Sequence, residues 1–183
     1  MQHIFIINPT AGKVDASVAL IPQIHAAASR AGLHPTIEVT RRAGQARDLA
    51  AQYAAGGEEV YLYACGGDGT LNECVNGAAL LPNVAVTHFP CGTGNDFIRM
   101  FGDEKDRFFD LTELMTGEVR PIDIIRCNDR YAVNICSMGL DARVGTDVHK
   151  YSGIPAIGGA AGYVVSLIVN YCKGVSTPMT ATV

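Results

Sequence analysis

The sequence predicts an α/β protein. A mainly parallel sheet carries helices on both faces in three layers, and the start of a β-rich second domain follows. Three observations predict this. Residues 1–101 alternate between short apolar, β-branched runs and stretches with helical spacing, the pattern of successive βα units. The loops after the first, third and fourth apolar runs are rich in Gly and polar residues, and such folds bind ligands at the carboxyl ends of their strands. After residue 103 the alternation stops and short strand-like runs take over.

The elements follow in order. His3-Ile4-Phe5-Ile6-Ile7 reads as a strand buried on both faces. Residues 16–31 place Val18, Leu20, Ile21, Ile24 and Ala28 at helical spacing, and Gly32 ends that helix. Thr36–Thr40 reads as the second strand and Ala46–Ala55 as the second helix, closed by Gly56-Gly57. Glu59–Cys65 and Val84–Phe89 read as the third and fourth strands, with a helix over Thr70–Leu81 between them. Asn95–Phe101 opens another helical piece, and Asp106–Thr116 reads as a helix stopped by Gly117. Val119–Cys127 and Arg130–Ser137 read as two strands joined by a tight turn at Asn128-Asp129. The last residues, Thr180–Val183, look like a strand with nothing to pair with. The expected division is therefore an α/β domain over residues 1–120 and an unfinished β-rich domain over 121–183.

Composition narrows the function classes. With 14 Lys plus Arg against 18 Asp plus Glu, the 183-residue chain carries a formal charge of −4. That balance argues against a nucleic-acid binder. At 48% hydrophobic and 17% charged, the chain as a whole is not disordered. Six Cys lack C-x-x-C spacing and read as buried, reduced thiols of a cytosolic protein. No basic segment followed by a long apolar run opens the chain, so no signal peptide is expected. Tyr151 to Cys172 contains no charged residue, but Ser152, Pro155, Ser166, Asn170 and several Gly interrupt it. It reads as a buried helix with a Gly-rich entry, with contact to a membrane surface as the alternative. No G-x-S-x-G is present, which removes a standard serine hydrolase.

Three loops carry the chemistry. The first is Asn8-Pro9-Thr10-Ala11-Gly12-Lys13, with Val14 after it. It is not a Walker A loop, but it combines polar side chains, a Gly and a Lys. The second is Gly66-Gly67-Asp68-Gly69-Thr70, followed by Leu71-Asn72-Glu73. Three Gly in four positions weaken any regular element. They make sense as an anion nest feeding a helix N-terminus, and Gly67 is expected to need a positive φ or a close backbone approach. Asp68 would repel a bare phosphate, so it is expected either to hold Mg²⁺ against phosphate oxygens or to accept a proton from an attacking hydroxyl. The third loop is Pro90-Cys91-Gly92-Thr93-Gly94-Asn95-Asp96. There Gly92 and Gly94 permit close approach, and Thr93, Asn95 and Asp96 offer donors and acceptors. Thr40 ends the second strand at the same edge, ahead of Gly44-Gln45-Ala46.

At these loops the chain resembles the diacylglycerol kinase catalytic-domain family, the lipid kinases that include bacterial diacylglycerol kinases and sphingosine and ceramide kinases. The matching pieces are Asn8-Pro9-x-x-Gly12, Thr40 with Gly44, Gly66-Gly67-Asp68-Gly69-Thr70 with Asn72-Glu73, and Pro90-x-Gly92-Thr93-x-Asn95-Asp96. Arg120-Pro121-Ile122-Asp123 and Asn134 with Gly139, Asp141 and Ala142 extend the likeness. Gly-Gly-Asp-Gly-Thr alone is shared with NAD kinases; the conjunction selects the lipid kinases.

The resemblance implies a nucleotide-binding domain of the NAD kinase and diacylglycerol kinase type, and a C-terminal β-sandwich that offers the lipid. It implies an ATP- and Mg²⁺-dependent transfer of the γ-phosphate to the hydroxyl of diacylglycerol or a similar lipid. Thr10 to Val14, Thr40, Gly66 to Asn72 and Thr93 would touch ATP, with Asn8, Glu73, Gly92, Gly94, Asn95 and Asp96 completing the cofactor site. Asp68 is the implied catalytic and metal-linked residue. A further acidic base and a structural Mg²⁺ site are expected in the C-terminal domain, beyond Val183, so residues 1–183 alone are expected to bind adenine nucleotide weakly without phosphorylating lipid. The implied setting is cytoplasmic and peripherally membrane-associated, with a lipid partner, no nucleic acid and a homodimer left open. An NAD kinase, or an inactive nucleotide-binding fragment, is the alternative.

Overall fold

The structure is a computed structural model that describes residues 1–12, 14–92, 94–152, 160–176, 178 and 180. Lys13, Thr93, the Gly-rich run 153–159 and the expected terminal strand at 181–183 lie outside the described residues. The chain forms two compact units, Met1–Asn134 and Ile135–Val183.

The first unit is built on one parallel sheet of β1 (Gln2–Ile7), β2 (Thr36–Val39), β3 (Val60–Gly66) and β4 (Val84–Pro90), in the order β2-β1-β3-β4. Ile7 of β1 lies opposite Val39 on one side and Cys65 on the other, and Gly66 lies opposite Pro90. The chain winds outward from β1 to β2, then returns to the far side of β1 with β3. This reversal opens a crevice at the carboxyl ends, between the loops that leave β1 and β3.

The period-2 alternation of the strands divides the core. Ile4, Ile6, Leu62 and Ala64 face α2 (Gln45–Ala54), α3 (Asp68–Ala78) and α4 (Asp96–Arg99), where they meet Ala46, Ala50, Leu71, Cys74 and Phe97. Phe5, Ile7, Tyr63 and Cys65 face the other way, toward Leu20, Ile24 and Ala27 of α1 (Ala16–Ala31) and Leu111 and Met115 of α5 (Leu111–Thr116). Because both faces are covered, Ile4–Ile7 of β1 and Val60–Cys65 of β3 run as unbroken apolar and aromatic stretches. Small residues bring α2 and α3 together: a Cβ at Gly77 would collide with the Arg47 carbonyl. Beyond β4 a cleft of about 1250 Å³ runs along the edge of the sheet, lined by residues such as Val84, Val86, Phe101 and Met115.

Three expectations change in this unit. The helix expected over 106–116 is a 3₁₀ segment, Gly102–Phe109, followed by a break and then α5. Extended Asp110 makes the break, and its carboxylate accepts from the Thr112 and Glu113 N–H groups. The hairpin is shorter than expected. Only β5 (Ile125–Cys127) and β6 (Arg130–Ala132) pair, with Asn128 at φ 55 in the turn. The hairpin also belongs to the first unit, which moves the boundary from 120/121 to 134/135. Asn76 explains this: its amide donates to the Tyr131 carbonyl at 2.8 Å and accepts from the Tyr131 N–H at 2.9 Å.

The second unit contains α6 (Leu140–Ser152), which the sequence reading did not assign, and α7 (Ala160–Cys172). α7 is not the buried helix expected. Its buried stripe is Gly162, Ser166 and Asn170, at i, i+4 and i+8. Ser166 Oγ donates to the Val144 carbonyl at 2.9 Å, and Asn170 Nδ2 donates to Asp147 at 3.2 Å. Tyr163, Val164, Leu167, Ile168 and Tyr171 are exposed. No helix among the described residues is long and apolar enough to cross a membrane. The thiols are likewise less hidden than expected, since Cys127, Cys136 and Cys172 are exposed.

His3 makes the fold sensitive to pH. It is buried, with Nδ1 2.7 Å from the Tyr63 hydroxyl, and desolvation together with the nearby N-terminal charge lowers its pKa below the ordinary 6.5. The unfolded chain therefore binds a proton that the folded chain refuses. This contribution to stability is full above about pH 6.5 and is lost as the pH falls below it. Thermal melts between pH 7 and 5 should show a shallower decline in His3→Phe than in the wild type. The difference in slope should be at most about 1.4 kcal/mol per pH unit, the limit for one proton.

Candidate functional site

The loops leaving β1, β3 and β4 meet at the carboxyl edge of the sheet. A Cβ on Gly92 would stand 2.6 Å from the Gly67 Cα, so the second and third loops touch backbone to backbone. A Cβ on Gly66 would collide with the Thr70 side chain. The Thr70 hydroxyl in turn accepts from Asn8 Nδ2 at 3.2 Å, which ties the first loop to the second. Gly12 lies against the Cys91 carbonyl, 3.2 Å from where its Cβ would be. The Gly66 carbonyl accepts from the Cys91 and Gly92 N–H groups at 2.7 and 3.2 Å. Asp68 Oδ1 accepts from the Phe97 N–H at 3.1 Å, and Gly94 stands beside Oδ2.

These contacts correct one expectation. Gly67 is extended, with φ −95 and ψ −174, and a Cβ there would make only an ordinary contact with Gly92. The tight positions are Gly66 and Gly92. The loop is thus a strand running directly into α3, rather than a turn through the left-handed region.

The four helices that follow β1 to β4 differ at their N-termini. Asp15 caps α1 by accepting from the Ser17 N–H at 2.8 Å. Glu73 closes α2: Oε1 accepts from the Gly44 N–H at 3.0 Å and Oε2 from the Ala46 N–H at 3.2 Å. Asp68 closes α4 through Phe97. Among the described residues, neither the N-cap residue of α3 nor a carboxylate from elsewhere bonds the N–H groups of its first turn. Its Asp68 and Gly69 N–H groups belong to the first turn, where no intrahelical acceptor exists, and its dipole end favours negative charge. Three of the four positive ends already carry a carboxylate, and the fourth faces the crevice between β1 and β3.

The expected site residues separate accordingly. Asn8, Gly12, Gly66, Gly67, Asp68, Gly69, Thr70, Gly92 and Gly94 come together at the loop junction. Thr10 folds onto its own loop, donating from N and Oγ1 to Asn8 Oδ1 at 3.1 and 2.9 Å. Ala11 N–H turns back to the Asn8 carbonyl at 3.3 Å, and Val14 is exposed. Thr40 is buried, with its hydroxyl donating to the Ile7 carbonyl at 3.3 Å. Leu71 sits in the core, and both oxygens of Glu73 are engaged at α2. Asn72 donates to the Tyr131 carbonyl at 3.0 Å and so holds the β5–β6 hairpin. Asn95, at φ 52, closes its own turn through the Gly92 N–H and carbonyl, and Asp96 pairs with Arg99 at 2.8 Å. Leu71, Glu73 and Thr40 thus have structural roles. The sequence reading passed over His88 and the Phe97 N–H. His88 was overlooked because it sits within a strand, where its neighbours in sequence say nothing of Gly66.

Among the described residues no three His, Cys, Asp or Glu side chains cluster to hold a metal. Asp68 offers a single hard oxygen beside an anion-accepting helix end. That suits a cation such as Mg²⁺, which is usually bound by one or two carboxylates, with phosphate and water as its other ligands.

An open parallel α/β domain with glycine loops packed at its switch point defines the class by its fold, one whose ligand sites lie at the carboxyl ends of the strands. The comparisons make it specific. Residues 2–127 match the diacylglycerol kinase catalytic domain, and the chain belongs to that family. It is 37% identical over 136 residues to the diacylglycerol kinase of Bacillus subtilis strain 168, covering 73% of this chain and 44% of that protein. To the enzyme of Staphylococcus saprophyticus it is 34% identical over 135 residues, with the same coverage. The crystal structure of a diacylglycerol kinase from Bacillus anthracis strain Sterne superposes with a TM-score of 0.56 at 28% identity, over 71% of this chain and 47% of that one. A second structure from that organism gives 0.62 at 28% identity, over 84% and 56%. The chain spans about half the length of the relatives it matches.

Gly92→Ala should lower stability by about 1–3 kcal/mol, because the new methyl must displace the Gly67 backbone. Gly69→Ala meets open space and should leave the melting temperature unchanged or slightly higher. Glu73→Ala should cost about 1 kcal/mol by uncapping α2. Chemical denaturation of the three variants checks all of these.

Proposed function

We propose that the protein is an ATP- and Mg²⁺-dependent lipid kinase that transfers a γ-phosphate to the hydroxyl of diacylglycerol or a similar lipid. The observation that carries this reading is the N-terminus of α3, which no side chain among the described residues caps, set among glycine backbones that leave a phosphate chain room to approach. Phosphoryl transfer asks a protein mainly for positioning and charge neutralisation, and this edge supplies both. The N–H groups of Asp68 and Gly69 would take phosphate oxygens. The carboxylate of Asp68 would either hold Mg²⁺, which neutralises phosphate charge when bound, or accept the proton of the attacking hydroxyl. The names of the relatives favour diacylglycerol over NAD as the acceptor.

The substrate class brings its setting with it. Diacylglycerol stays in a bilayer, so the reading includes peripheral association with the cytoplasmic face of a membrane and a role in phospholipid synthesis. The exposed apolar side chains of α7 are compatible with such a surface, and with a homodimer contact.

The test, on the whole protein with its C-terminal lipid domain, is transfer of label from γ-labelled ATP to diacylglycerol, ceramide or NAD presented separately. Label in the diacylglycerol product supports the reading, and label in NAD alone refutes it. Asp68→Asn should cut turnover by about 10²-fold or more while ATP-analogue affinity, measured by calorimetry, falls only modestly. Turnover near the wild-type value in that variant would remove Asp68 from the mechanism.

A further inference from the structure

We infer that His88 is a positioning residue for Asp68, acting from inside the sheet on both loops that frame the carboxylate. The inference rests on the kinase reading of the site. His88 lies in β4 and is fully buried. A buried imidazole is costly where an apolar side chain of similar size would pack, so its polar atoms call for an account. Its Nε2 lies 3.1 Å from the Gly66 carbonyl. A carbonyl only accepts, so Nε2 carries the hydrogen and donates. Nδ1 is then left with a lone pair that has no partner among the described residues. One hydrogen bond to one loop atom is therefore kept at the expense of an unsatisfied nitrogen.

That loop atom is the fastener of the site. The Gly66 carbonyl also accepts from Cys91 and Gly92, which draws the third loop against the second. The His88 ring lies nearly parallel to that of Phe97, with centroids 6.1 Å apart and an interplanar angle of 8°. The Phe97 N–H is the donor to Asp68 Oδ1. His88 thus touches the residue two positions before Asp68 and also the residue that anchors its carboxylate. With Oδ1 held, Oδ2 is left for a metal or a proton. Burial lowers the pKa of His88, against the opposing pull of the Gly66 carbonyl and the Asp68 charge. The ring is accordingly a neutral donor at neutral pH. Without the Nε2 donor, the Gly66 carbonyl keeps only its bonds from the third loop, so the Gly66 peptide can shift toward that loop and carry Asp68 with it, and a displacement of about 1 Å at a reacting group can cost about 10²-fold in rate.

The test compares His88→Phe, which keeps a ring against Phe97 but removes the donor, with His88→Gln, whose amide nitrogen can reach the Gly66 carbonyl. His88→Phe should lower kcat by about 10- to 100-fold at saturating ATP with little change in KM for ATP, and His88→Gln should recover most of the loss. In an Asp68→Asn background, His88→Phe should have little further effect, since both act through one carboxylate. Amide exchange supplies a readout independent of activity: the Phe97 and Cys91 N–H groups should lose protection in His88→Phe and keep it in His88→Gln. Wild-type turnover in His88→Phe, equal losses in both variants, additivity with Asp68→Asn, or unchanged exchange at Phe97 would each overturn the inference. A whole protein, C-terminal lipid domain included, that phosphorylates no lipid would instead refute the kinase reading, leaving the exchange experiment to decide whether His88 orders the loops. If His88→Phe does not fold, the His88→Gln turnover and exchange data decide alone: loss in both overturns the inference, and retention of both supports it.

Discussion

Two stretches of backbone meet at Gly67 and Gly92, so closely that Gly92 has no room for a β-carbon. The rest of the carboxyl edge depends on that approach. It lets the Gly66 carbonyl take N–H groups from the third loop. It also brings the start of α4 close enough for Asp68 to accept from Phe97. A β-carbon at Gly92 would push the loop after β4 away from the loop after β3. Gly66 and Gly92 answer to packing distance rather than to backbone handedness, and Gly67 between them is extended.

Charge is distributed around that junction by the same economy. Asp15, Glu73 and Asp68 each neutralise a helix end, so the edge carries several carboxylates and yet leaves one N-terminus open. An anion entering the crevice meets the dipole of α3, and its repulsion from Asp68 is the one conflict that remains. A divalent cation between the two resolves that conflict, and a proton in transit does so briefly. The negative net charge of the chain is therefore no obstacle to the proposed binding of phosphate, since backbone groups at a single helix end can do that work.

The second unit shows a different balance. The seam between α6 and α7 is made of Gly162, Ser166, Asn170 and Val144, and the larger apolar side chains of α7 remain outside. Small and polar residues let two helices approach closely with their hydrogen bonds satisfied. Apolar content alone does not say which face of a helix is buried.

The four-strand parallel sheet was legible from the sequence because its strands are buried on both faces and its helices carry an apolar stripe. Both patterns are local and periodic, and they do not depend on what the element packs against. The loop motifs were legible for a related reason: glycine clusters between a strand and a helix have few other uses. Tertiary structure decided the rest. It showed that Glu73 serves α2, 27 to 29 residues away along the chain, and that Thr40 spends its hydroxyl on Ile7. It placed the hairpin with the first unit through Asn76 and Tyr131, a contact spanning 55 residues. It also put a histidine from the middle of a strand under the loop that holds Asp68. Each of these is a hydrogen bond between residues far apart in sequence. A one-dimensional pattern records which residues can donate or accept, whereas the choice of partner is made only when the sheet brings the loops to one edge.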